Sequence, residues 1–117
     1  MISIRSSADM ARTLAGALDP PLRQLLALRR DQLLEHEGYD FGELAHFIVV
    51  QAGDTLAAIE TEAGFPLAFP AFEFVTRHGR WLEAVLIVSD HGFGIALFVP
   101  DRIDIDPALL LPLLALR

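Results

Sequence analysis

With 117 residues, 53% of them hydrophobic, the chain has enough apolar material for one domain with a proper core. It contains no cysteine and carries a formal charge of -7. That excludes disulfides, thiolate nucleophiles and Cys-ligated zinc, fits a cytoplasmic location, and disfavours nucleic acid as a partner because phosphate backbones attract basic surfaces.

The first residues, Met1 to Ser7, have no apolar core of the kind a secretory signal needs, so none is expected. The span from Ala8 to Leu18 predicts a helix, capped by Ser6 or Ser7 and stopped by Asp19-Pro20-Pro21. Pro21 suits the first turn of a second helix that runs to His36, with Gly38 as its terminator. On that helix Leu22, Leu25, Leu26 and Leu33 share one face, and Arg29 and His36 fall on the same face. The ordinary expectation for Arg29 is a stem laid on apolar surface with its head in water. The other reading is a paired or ligand-contacting arginine.

Leu44 to Val50 reads as a strand, and Asp54 as the cap of a helix over 55–63 that Gly64 ends. Three strands follow: Phe72 to Arg77, Arg80 to Ser89 and Phe93 to Val99. His78-Gly79 and His91-Gly92 stand between them as two-residue turns. Asp106-Pro107 opens a short C-terminal helix. The longest apolar stretch, Ala108 to Leu116, is broken by Pro112 and falls well short of the roughly 20 residues that cross a bilayer. The expected fold is one α+β domain over 1–117. Its antiparallel sheet has about four strands, a meander over 72–99 plus the strand 44–50, packed against helices.

Two-residue turns set the register, and the register sets the faces. One face collects Val75, Leu82, Ala84, Leu86, Val88, Phe93, Ile95, Leu97 and Val99, an aliphatic surface for helices to cover. The other collects Phe72, Phe74, Thr76, Trp81, Val85, Ile87, Gly94, Ala96 and Phe98, with Glu83 among them. An antiparallel sheet with one wet face alternates apolar and polar, and this second face does not. A helix, a second subunit or a ligand must cover it. A second subunit is the leading expectation, with Phe72, Phe74, Trp81, Glu83 and Phe98 as its candidate contacts. The alternative is a small-molecule pocket or minor active site around Glu83, with Arg29 or His46 beside it.

No cofactor or metal motif accompanies these residues. The histidines lack zinc-pair spacing. Asp101, Asp104 and Asp106 lack the frame of a calcium loop and read as the wet side of an extended segment plus one cap. Gly92-Phe93-Gly94 opens a strand rather than a helix, so it does not mark a dinucleotide fold. The class expected is a non-enzymatic interaction protein.

Two resemblances accompany this reading. Val50-Gln51-Ala52-Gly53-Asp54-Thr55-Leu56, with Ile59 and Gly64, resembles the opening of the LysM module within 47–64. That resemblance implies peptidoglycan or chitin binding, but the Asn-containing turn of the module's second half is missing. His46-Phe47-Ile48-Val49-Val50, Gly53-Asp54-Thr55-Leu56, Arg80-Trp81-Leu82-Glu83 and Asp90-His91-Gly92-Phe93-Gly94 through Val99-Pro100 look like segments of a set of small uncharacterised proteobacterial proteins, some encoded on mobile elements. This second likeness implies a bacterial cytosolic accessory protein and brings no catalytic residues with it.

Overall fold

A computed structural model describes residues 1–35, 44–69, 72–88 and 93–116. His36, Gly38 and the His91-Gly92 turn lie outside the described residues. In chain order the elements are β1 (Ile2–Ile4), α1 (Ser7–Ala15), α2 (Pro20–Leu34) and β2 (Ala45–Val49). Then come α3 (Leu56–Ala63), β3 (Phe74–His78), β4 (Trp81–Ile87), β5 (Gly94–Pro100) and α4 (Pro107–Leu116).

Local chemistry explains most of the boundaries. Ser6 accepts a hydrogen bond from the Asp9 N–H and caps α1. Prolines at the first two positions of α2 fix φ where no intrahelical N–H is needed. Thr55, not Asp54, caps α3 by accepting from Ala58 N–H. The Asp54 carboxylate instead takes the Gln51 N–H at 2.8 Å, which closes the turn ahead of the helix. Gly64 ends α3 at φ 90°, a left-handed conformation that a Cβ disfavours.

The sheet has five strands in the order β1-β2-β5-β4-β3, and it is mixed rather than antiparallel. β2 runs parallel to β5, Ala45 opposite Gly94 and Val49 opposite Phe98. The β3-β4-β5 meander is antiparallel as expected. β1 adds a short antiparallel edge on β2. The first meander turn differs in place from expectation, and so does the register of the second strand pair. His78 pairs with Trp81, so the first turn is Gly79-Arg80, with φ 62° at Gly79 and no positive φ at His78. A glycine in the first central position is what a type II′ hairpin requires. In the β4-β5 pair the register also differs: Ile87 pairs with Gly94, and Val88 N–H donates to Phe93 O at 2.9 Å.

Each shift moves both strands of its hairpin by one residue, so side-chain parity survives and the faces keep their membership, with one exception. Phe72 belongs to the aliphatic side, where it packs against that core and stacks on Phe69. It precedes β3, and its N–H donates to Phe69 O in a tight turn, so strand alternation does not govern its direction. The segment 101–105 is likewise a turn rather than an extended stretch: Ile105 N–H donates to Arg102 O, and Ile103 is fully exposed.

Helices cover both faces. Ile59 of α3 and Leu109, Leu110 and Leu113 of α4 pack on Leu82, Ala84, Leu86, Ile95, Leu97 and Val99. Met10 of α1 and Leu22, Leu25 and Leu26 of α2 pack on Phe47, Val49, Ala96 and Phe98. At about 1.5–3 kcal/mol for each fully buried large apolar side chain, the three leucines alone hold α2 firmly. A two-helix layer therefore covers most of the aromatic face from within the same chain. Among the described residues, no helix is long and apolar enough to cross a membrane.

Candidate functional site

Glu83 lies in the middle of β4 on the face covered by α2, opposite Thr76 of β3, and is 2% exposed. An ionised carboxylate at such depth needs partners, and it has two. Arg29 reaches down from α2 and grips it with a fork: Nε donates to Oε2 and Nη2 to Oε1, each at 2.6 Å. His78 Nε2 lies 3.0 Å from Oε1. The third guanidinium nitrogen, Nη1, donates to Gln32 Oε1 at 2.8 Å. Bonding to Glu83 raises the Arg29 pKa above its already high ordinary value, against the opposing effect of burial.

The helical period explains why Arg29 arrives there. It sits four residues after Leu25 and four before Leu33 on the stripe that faces the sheet. Its head therefore follows its stem inward and is 26% exposed. The ordinary expectation of a solvated head is corrected by this pairing. His78 is a strand residue two positions along from Thr76 on the same face, not a turn residue, and so comes beside Glu83.

Beyond the ion pair the α2 layer ends, and a groove of about 340 Å³ opens. Leu33, Phe47, Phe74, Val85, Ile87 and Ala96 line it, with Arg29 and Glu83 at its polar end. Of the aromatic candidates, Phe98 is fully buried edge-on against Phe47. Trp81 is half-buried at the other end of β4, and its Nε1–H donates to Asp19 Oδ2 at 2.8 Å. Phe74 stays 51% exposed and Ile87 43% exposed. The structure thus brings Arg29, Glu83, Phe74 and, unexpectedly, His78 to one region, and leaves Phe72, Trp81 and Phe98 out of it.

His46 is not part of that group. It shares the parity of Ile48 on the aliphatic side, 3% exposed. Its Nε2 lies 2.7 Å from Ser3 Oγ, while Ser3 Oγ–H donates to Glu62 Oε1 at 2.5 Å. Arg5 Nη2 donates to the Glu62 carbonyl at 2.7 Å. Burial, then the Arg5 charge, pushes the His46 pKa below its ordinary value in spite of Glu62 and Asp9. The Ser3 bond, followed by Arg5, holds the Glu62 carboxyl below the usual range despite some desolvation. The serine has one proton and gives it to Glu62, so a neutral His46 donates to Ser3 through Nε2–H. A nucleophilic serine needs the reverse polarity, its proton directed at the histidine. The cluster ties β1, β2 and α3 together and does not form a catalytic pair.

Among the described residues no group of three His, Asp or Glu side chains is placed to hold a metal. Compared with protein-family models, with curated proteins and with solved structures, the chain matches none of them.

Proposed function

We propose that the chain is a protein-interaction domain that pairs with a second copy of itself along β3 and the uncovered end of the aromatic face. The observation that carries this reading is Phe74, half-exposed on an edge strand, with Ile87 exposed beside it on the neighbouring strand. An edge strand presents unpaired N–H and C=O groups, and proteins normally shorten, cover or charge such edges. The opposite edge, β1, has three residues and packs against α1. β3 is longer and mostly exposed.

A two-fold axis satisfies both copies of one edge at once. An antiparallel register centred on Val75 sets Glu73 of one copy opposite Arg77 of the other, in both directions, so opposite charges meet across the pair. A small-molecule site or active site at Glu83 has less support, because Arg29 and His78 occupy both carboxylate oxygens. Among the described residues no free acid or base faces the groove from there.

The test is solution mass by light scattering and sedimentation across micromolar concentrations. The expected result is twice the 12.9 kDa chain mass, reduced to the single-chain mass by Phe74→Glu with an unchanged far-UV spectrum. Ile87→Asp serves as an independent second variant should Phe74→Glu unfold. A wild-type monomer up to hundreds of micromolar overturns the reading, as does a dimer that persists in both variants.

A further inference from the structure

At the far end of β4 a second concavity is built from different chemistry. It opens at the carboxyl ends of β2 and β5, the parallel pair, the position where open sheets with parallel strands keep their ligand crevices. The larger part encloses about 640 Å³ and is lined by Asp19, Pro21, Gly79, Arg80, Trp81, Pro100 and Arg102. An adjoining part shares Asp19, Trp81, Pro100 and Arg102 and extends to Val50 and Gln51.

Cationic side chains gather here. The chain is acidic overall, yet this cleft gathers two guanidiniums and one carboxylate. That carboxylate, Asp19, is engaged by the Trp81 indole N–H. Among the described residues the Arg102 guanidinium is held by Asp104, in an exposed pair that contributes little and can exchange for a ligand anion. Arg80 lies in the Gly79-Arg80 turn, and its guanidinium has no hydrogen-bond or ion-pair partner among the described residues. Trp81 supplies a half-buried aromatic surface to the same cleft, opposite Pro100 across the β4-β5 pair, and Pro21 also lines it.

We infer that this cleft binds a small organic anion carried on a flat aromatic ring. The ring lies against Trp81 and the prolines, and the anionic group meets Arg80 and Arg102. Guanidinium forks match the geometry of carboxylate and phosphate alike, so both belong to the ligand class. A bare inorganic anion lacks the ring that Trp81 accommodates. A cation, which a tryptophan face would also attract, would meet the Arg80 guanidinium, which has no carboxylate partner among the described residues.

Trp81 is the sole tryptophan of the chain, so its fluorescence reports directly on the site. The experiment titrates the full chain with benzoate, with a nucleoside 5′-monophosphate and with inorganic phosphate, following Trp81 emission and, independently, heat of binding. Saturable binding of benzoate or the nucleotide is expected, at least about tenfold tighter than that of phosphate. Charge-assisted hydrogen bonds are each strong enough that losing one weakens binding by about tenfold or more. Arg80→Ala, at an exposed turn position, should do so while leaving the unfolding midpoint unchanged. Arg102→Ala is the second variant and should act in the same direction. Absence of saturation by both aromatic anions at millimolar concentration overturns the assignment. So does phosphate binding as tightly as they do, or binding that survives both arginine substitutions. None of these readings depends on oligomeric state, so the cleft and the β3 edge stand or fall separately.

Discussion

Removing Arg29 should cost more than removing Glu83, although the two side chains share the same pair of bonds. Arg29→Met leaves a carboxylate that is 2% exposed with His78 as its remaining partner at 3.0 Å. Breaking a buried pair from one side costs roughly 3–5 kcal/mol, because the stranded charge stays desolvated. Glu83→Leu leaves Arg29, whose head already touches water and keeps Gln32. The loss there is nearer about 1–3 kcal/mol. The double variant Arg29→Met/Glu83→Leu removes both charges and fills the space with apolar atoms, so it should fall within about 1 kcal/mol of wild type or exceed it. For 117 residues, an unfolding entropy of about 2.1 cal/mol/K per residue gives about 0.25 kcal/mol/K. The Arg29→Met penalty is then a fall of about 12–20 °C in Tm. Urea unfolding at neutral pH followed by Trp81 emission, with thermal melts by circular dichroism, measures all four proteins in one cycle. The reasoning is refuted if Glu83→Leu proves the costlier single change, or if the double variant is as unstable as the sum of the singles.

Two further outcomes concern other groups. The His46 pKa is lower in the folded chain than its unfolded value near 6.5, so the unfolded chain binds the proton first as pH falls. Stability should be full above that value and decline as pH drops from it through the folded pKa. His46→Gln should flatten the urea-midpoint profile in that window, and an equally steep profile in the variant would refute the assignment. Asp106 caps two helices at once, Oδ2 accepting from Leu56 N–H at 2.9 Å and Oδ1 from Ala108 N–H at 3.0 Å. These two bonds, the Leu56 one first, hold its carboxyl below the usual range. Asp106→Ala should therefore speed amide exchange in the first turns of α3 and α4 together, and a response confined to α4 would show that the Leu56 bond contributes nothing.

The membership of the two sheet faces was legible because it depends on parity alone. Both hairpin registers differ from the expected ones, yet each difference moves paired strands together and leaves Glu83 on the side of Val85 and Phe98. His-Gly imitates Asn-Gly and so points to a turn at 78–79, whereas the chain uses the glycine in the first central position and frees His78 for the strand. Its contact with Glu83 was hidden for that reason. Arg29 and Glu83 were each visible as a charge on an apolar face, and two opposite charges of that kind are a pairing signal in themselves. β1 escaped because three residues are too few to show a period. The parallel pairing of β2 left one trace, a strand buried at every position, which is what covered parallel strands require. Self-coverage of the aromatic face by α1 and α2 depends on tertiary docking that no local pattern encodes.

The parallel neighbours β2 and β5 also set an order of events during synthesis. The meander pairs strands that are neighbours in sequence, but β2 must wait for β5, because α3 and the β3-β4 hairpin lie between them in the chain. Non-local pairings of this kind form late and slow folding. Until β5 leaves the ribosome, Ala45–Val49 is an apolar β-forming segment with no lateral partner except β1, and such a segment is an aggregation hazard. Truncation before β5 should therefore yield insoluble chains, whereas ending the chain after β5 leaves the strand paired.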